Sequence, residues 1–247
     1  MRTQRVIGGI VATVVLLSVA TAAAVMAAVG TALGAVLSAG AALVVIVGYR
    51  YIVGPWQRRW GATDAELTCS MPGDEIIPDA DATTRAIDVG VPPEHLWPWL
   101  IQLGYGRAGW YSYDWIDNDG RRSAESVIPE YQSLQPGDQI AMIPGMGPHV
   151  RAVDPPRMIL AGDEVGGTWC LQLHEGGSGT RLVSRWRMPR ASSLPARCWL
   201  LIADPGAFIM ERKMLLGIRR RAENPHLYDD ERQMEPRPER PRDVSRT

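Results

Sequence analysis

Thr180-Arg181-Leu182-Val183-Ser184-Arg185-Trp186-Arg187-Met188 alternates residue by residue. Leu182, Ser184, Trp186 and Met188 fall on one face, and Arg181, Val183, Arg185 and Arg187 on the other. A period of two with one apolar face predicts a strand of an antiparallel sheet, buried on one side and wet on the other. Gly176-Gly177-Ser178-Gly179, just before it, predicts a hairpin turn from a preceding strand over Thr168–His174. Further upstream, Met158–Ala161, His149–Asp154, Gln139–Ile143 and Trp110–Trp115 read as short strands, and Thr83–Val91 as the first. Between the first strand and the rest lies a helix over Glu94–Leu103, opened by Pro92-Pro93, interrupted by Pro98 and stopped by Gly104. Downstream, Asp204-Pro205 reads as a helix N-cap with proline at the first helical position. The helix runs about 19 residues to about Glu223, where Asn224-Pro225 ends it. The order is strand, helix, several antiparallel strands, long C-terminal helix. That is an α+β chain whose last helix covers the apolar face of the sheet.

The other end of the chain is different in kind. No charged residue occurs between Arg5 and Arg50. As one helix, the 44 residues from Val6 to Tyr49 would measure roughly 66 Å, about twice the hydrocarbon thickness of a bilayer. Two spans fit, over about 6–29 and 33–53, with a weak break at Gly30-Thr31 and Gly34. A transmembrane helical hairpin over residues 1–59 is therefore expected. Arg2 and Arg5 precede it, and Arg50, Arg58 and Arg59 close it. The positive-inside rule then puts both ends, and the remaining chain, on the cytoplasmic side of the cell membrane. Trp56, Trp60, Tyr49 and Tyr51 suit the interface. A soluble core hairpin and a cleaved signal peptide are rival readings. The apolar stretch is too long for the second, and another apolar run follows at once.

Between these ends, residues 60–223 suffice for one domain, and 224–247, rich in Arg, Glu, Asp and Pro, read as a disordered charged tail. With 26 basic and 27 acidic residues the chain has no charge excess for nucleic acid, and no such partner is expected. Three cysteines, Cys69, Cys170 and Cys198, fit neither a disulfide framework nor a zinc site. His95, His149, His174 and His226 show no ligand spacing, so no metal and no cofactor are expected. Gly104-Tyr105-Gly106-Arg107-Ala108-Gly109 matches a dinucleotide fingerprint in letters only. It follows a helix and leads into a strand, the reverse of the required context.

Several segments carry a resemblance. They are Arg59-Trp60-Gly61-Ala62-Thr63-Asp64 with Pro72-Gly73-Asp74, Pro92-Pro93-Glu94 through Trp97-Pro98-Trp99-Leu100, Gly109-Trp110-Tyr111-Ser112-Tyr113-Asp114-Trp115, and Met210 through Ile218. Together they resemble a membrane-tethered bacterial group of the SRPBCC superfamily, the START and birch-pollen-allergen-like helix-grip fold. The resemblance implies a curved antiparallel sheet around the long C-terminal helix and a deep apolar cavity between them. It says nearly nothing about chemistry, since the fold hosts carriers and enzymes alike.

Candidate site residues follow from composition and from the helix wheel. The chain has one Phe but nine Trp and seven Tyr, side chains that join large apolar area to one polar handle. Trp97, Trp110, Tyr111, Tyr113, Trp169 and Trp186 are candidate walls of a ligand cavity, each also a plausible core residue. At about 100° per residue, Met210, Met214, Gly217 and Ile218 share the apolar arc of the last helix, and Glu211 falls inside it. A carboxylate there must be paired. It reads either as a polar anchor in the cavity or as the partner of an arginine such as Arg85 or Arg107. Asp114 has the same two readings. Arg212, Lys213 and Arg219–Arg221 form a basic cluster suited either to anionic headgroups or to an ordinary helix end. The expected function is binding of a hydrophobic small molecule or lipid at the membrane. The alternatives are a cyclase- or hydratase-like enzyme using Glu211 or Asp114, and a partner-binding module with a filled core.

Overall fold

The computed structural model describes residues 2–177 and 179–224. The charged tail beyond Asn224, with His226, lies outside them. Helix α1 (Arg2–Val29) is followed by α2 (Thr31–Gly48), a π-turn (Tyr49–Val53) and α3 (Gly54–Arg58). The chain doubles back at Gly30, whose φ of 88° suits glycine. The π-turn has a local cause. Pro55 has no N–H for the Tyr51 carbonyl, and the Gly54 N–H bonds instead five residues back, to Tyr49. Thr31–Arg58 thus remains continuous. Among the described residues it is the one helix long and apolar enough, by length and composition, to cross a membrane. In α1 the described apolar stretch is the shorter Val15–Val29.

Beyond α4 (Asp64–Thr68) comes the sheet, in the order β1-β5-β4-β3-β2 and antiparallel throughout. Its strands are β1 (Ala80–Val89), β2 (Val150–Asp154), β3 (Met158–Asp163), β4 (Gly167–Gly176) and β5 (Gly179–Pro189). Gly176 pairs with Gly179 across the expected hairpin. Helix α5 (Pro93–Ile101) and the C-terminal half of α7 (Leu194–Ala222) lie on one face. Leu96, Trp99 and Leu100 from α5, Leu215 and Ile218 from α7, and Ile159, Trp169, Leu171 and Leu182 from the sheet form one core, each almost fully buried.

Four expectations need correction. The opposite face of β5 is not wet. Met71, Ala86, Leu160, Cys170 and Val183 form a second core under the segment preceding β1. Three arginines of β5 tie that segment down. Arg181 binds Glu66 and the Gly61 carbonyl, Arg185 binds Asp74 and the carbonyls of Cys69 and Glu66, and Arg187 binds the carbonyls of Ile77 and Pro78. Each guanidinium offers five donors, enough to satisfy a loop that has no ladder of its own. Glu66 also closes a capping box with Thr63. The Arg181 bond lowers its carboxyl to about 2.

Second, Trp110–Trp115 is not a strand. Tyr111 adopts a positive φ of 54°, and Asp114–Asp117 is a short helix, α6. Third, Gln139–Ile143 contributes only isolated bridges, to His149 and Met146. Fourth, α7 begins ten residues earlier than Asp204, at Leu194, with Ser193 as its N-cap. Pro205 is therefore internal. Asp204 is bound by Arg58 at 2.7 Å rather than capping a helix.

Candidate functional site

Lys213, Leu216, Gly217, Arg220 and Arg221 recur at helical spacing and share one stripe of α7. Opposite them runs the segment from Tyr111 to Glu125, irregular apart from the single turn of α6. The two approach closely because Gly217 has no side chain. A Cβ there would collide with the Tyr111 carbonyl. Between them opens a cleft of about 400 Å³.

Its walls have distinct jobs. Arg221 is buried, stacks over the Tyr111 ring at 4.4 Å and donates to the Ala124 carbonyl at 2.7 Å. Burial lowers its pKa, yet it stays cationic at any physiological pH. Asp114 accepts from the Ser123 hydroxyl at 2.5 Å and from the Ser123 N–H at 3.1 Å, which shapes the loop. Glu125 accepts from Arg220 and Arg221. Lys213 sits 6.0 Å from the centre of the Tyr113 ring, and Arg122 is exposed at the rim. Four cations thus line the cleft against two carboxylates, both already engaged. A net positive, half-open cleft with Leu216 in its wall suits an anion carrying an apolar body.

A second polar group lies deeper. Trp169 donates through its indole N–H to the Ser184 hydroxyl at 3.0 Å, and Ser184 donates to Glu211 at 2.6 Å. Arg85 pairs with the other Glu211 oxygen, and its Nε donates to the Gln57 carbonyl at 2.9 Å. Of the two readings of Glu211, the geometry gives the arginine pair, and the partner is Arg85. Arg107 instead donates to the carbonyls of Ile101 and Tyr131. One chain of bonds therefore runs from the sheet through α7 to the foot of the apolar helix.

The sequence-selected aromatic residues divide between two places. Trp169 stacks on Trp186 with ring centres 4.9 Å apart and 8° between planes, and Trp110 lies against Trp169 at 5.9 Å. Trp97 and Met214 are buried in the same core. These five occupy the space between the sheet and α7 where the resemblance implies a cavity. Tyr111 and Asp114 instead line the cleft, with Tyr113 beside it. Met210 accepts from the Ser112 hydroxyl through its carbonyl at 3.0 Å. No periodicity in the sequence marks Arg122, Ser123 or Glu125. The stripe of Lys213, Arg220 and Arg221 was legible as a basic cluster, but not as a cleft wall.

The Gly104–Gly109 loop uses its glycines locally. The two residues exchange N–H to carbonyl bonds of 3.1 Å, which closes a tight turn rather than opening a helix toward a phosphate.

Asp117, at the end of α6, is buried, and neither carboxylate oxygen receives a well-formed hydrogen bond. Burial, then the charge of Asp114, pushes its pKa up to about 7. A raised carboxyl favours the folded state fully below its ordinary value, and that contribution is lost as pH rises through 7. Asp117→Asn is therefore expected to raise the melting temperature at pH 8 and to leave it unchanged near pH 4. Thermal scans of both forms at the two pH values check this.

No family model matches the chain, and no curated protein does. Among solved structures it is similar to the Polyketide_cyc-like protein Cgl2372 from Corynebacterium glutamicum, with 14% identity, a TM-score of 0.30 and coverage of 65% of this chain and 99% of that one. It is also similar to CalU16 from Micromonospora echinospora, with 16% identity, a TM-score of 0.31 and coverage of 58% and 85%. A third is NE0264 from Nitrosomonas europaea, with 13% identity, a TM-score of 0.36 and coverage of 62% and 98%.

Proposed function

We propose that this chain is a membrane-anchored domain of the helix-grip type that holds an amphiphile, anionic at one end and apolar at the other, in the cleft beside the C-terminal half of α7. The anchor is the hairpin of α1 and α2, with both ends and the domain on the cytoplasmic side. The observation that carries the reading is the cleft itself, about 400 Å³ with cations in excess of carboxylates. Its position supports a membrane-derived ligand, since α6, which begins at Asp114, packs against α1. Binding is favoured over catalysis because the two carboxylates expected to act as acid or base are both occupied, and Asp117, whose pKa is about 7, does not line the cleft. Glu211 is held by Arg85 and Ser184, and Asp114 by Ser123.

The aromatic filling between the sheet and α7 favours a second reading, a partner-binding module with no ligand. Native mass spectrometry of the full chain in nanodiscs containing phosphatidylglycerol separates the two. The cleft reading predicts a retained anionic lipid. Lys213→Glu with Arg122→Glu should weaken its retention by about fivefold or more for each cation, the equivalent of about 1 kcal/mol apiece. Equal retention by both proteins would refute it.

A further inference from the structure

The first half of α7 has no counterpart in the cleft, and its surface is unusual. Leu194, Trp199 and Ile209 are more than half exposed. The stretch Leu194–Ile209 is held at the foot of the Thr31–Arg58 helix by three contacts. Arg58 pairs with Asp204 at 2.7 Å, the Phe208 ring meets Trp56 edge-on at 5.3 Å, and it meets Trp60 at 6.3 Å. Tyr51, Ile52, Val53 and Trp56 at that foot are also exposed. The two helices therefore present adjoining apolar surface.

The charges agree. The acidic residues of α7 are Asp204 and Glu211, and each is neutralised, by Arg58 and by Arg85. Among the described residues, the charges of the helix left without an ion-pair partner are cationic, beginning with Arg197 and continuing with Arg212 and Lys213. Exposed apolar side chains that include Trp199, with only positive charge left over, complement an anionic bilayer surface.

Length then fixes the mode. At about 1.5 Å per residue the stretch measures about 24 Å, shorter than the roughly 30 Å hydrocarbon core, and it includes Arg197 and Asp204. We infer that Leu194–Ile209 lies in the plane of the membrane interface, with Leu194, Trp199 and Ile209 sunk among the lipids, as a second and shallow attachment of the domain. This rests on the membrane-anchor reading above. The same helix carries Lys213, Arg220 and Arg221 beyond its interfacial half. Seating the first half would hold the cleft at headgroup level.

Cys198, exposed beside Trp199, is a native probe, and Cys170 is buried. In the full chain carrying Cys69→Ser, a nitroxide is attached to Cys198 in vesicles of mixed phosphatidylglycerol and phosphatidylcholine. Its collision with oxygen is compared with its collision with a polar nickel chelate. Two references are made in a Cys69→Ser, Cys198→Ser background, Val44→Cys on α2 and Val165→Cys on the β3–β4 turn, both highly exposed. An oxygen-to-nickel ratio at Cys198 several-fold above that at Val165, approaching Val44, is expected. If Val44 reports lipid and Cys198 matches Val165, the interfacial helix is refuted and the anchor stands. If Val44 itself matches Val165, the anchor fails and the inference fails with it.

Discussion

Arg85→Met is expected to destabilise the protein by about 3–5 kcal/mol, the cost of leaving one member of a buried ion pair without its partner. Arg85 and Glu211 have side chains only 5% and 9% exposed. Removing the guanidinium strands the Glu211 carboxylate against Ser184 and frees the Gln57 carbonyl as well. Glu211→Leu should cost a similar amount by stranding Arg85. The double variant should cost clearly less than the sum, because an apolar pair carries no desolvation penalty. Denaturant unfolding of the full chain in micelles, followed by far-ultraviolet circular dichroism, measures all three. Additive losses would show that the two side chains act independently. The pair matters beyond stability, since it joins the sheet, α7 and, through Gln57, the end of the apolar helix. Arg85→Met should therefore also loosen the foot of that helix, read as faster amide exchange over 54–58.

Trp169→Ala carries the other large effect, about 3–5 kcal/mol. Trp169 is 2% exposed, stacks on Trp186, touches Trp110 and donates to Ser184. Truncation leaves a void and removes the donor. The size of the loss also discriminates between two descriptions of this space. A residue lining an open ligand cavity gives up only part of its contacts, whereas a packed core residue gives up all of them. A loss below about 1.5 kcal/mol would mean that the region is looser than the stacked geometry implies.

Much of this architecture was legible in the chain. The alternation over Thr180–Met188 located β5 to within a residue at each end. The wheel placed Met214, Gly217 and Ile218 on the buried side of α7, and it singled out Glu211 as a carboxylate that needed a partner. What failed did so for physical reasons. Arg181, Arg185 and Arg187 look like a solvated face in sequence, because no local pattern shows that a distant loop will use their donors. Asp204-Pro205 has the letters of a helix start, but Arg58 claims Asp204 from far away in sequence, and a proline inside a long helix is tolerated where neighbours support it. The stretch before it, Leu194–Ala203, gives no clean period because its apolar residues are not confined to one face. The cleft was least legible. Its far wall is irregular backbone held by Ser123, Asp114 and a positive-φ tyrosine, features without periodicity.

The most direct test of the cleft assignment is photo-crosslinking of the full chain in vesicles with an anionic phospholipid analogue carrying a photoreactive group near its headgroup, followed by peptide mapping. Labelled peptides from Tyr111–Glu125 and from Lys213–Arg221 together, lost in the Lys213→Glu, Arg122→Glu variant, are the predicted result. Labelling confined to α1 and α2, or labelling of the cleft that survives both charge reversals, would contradict it.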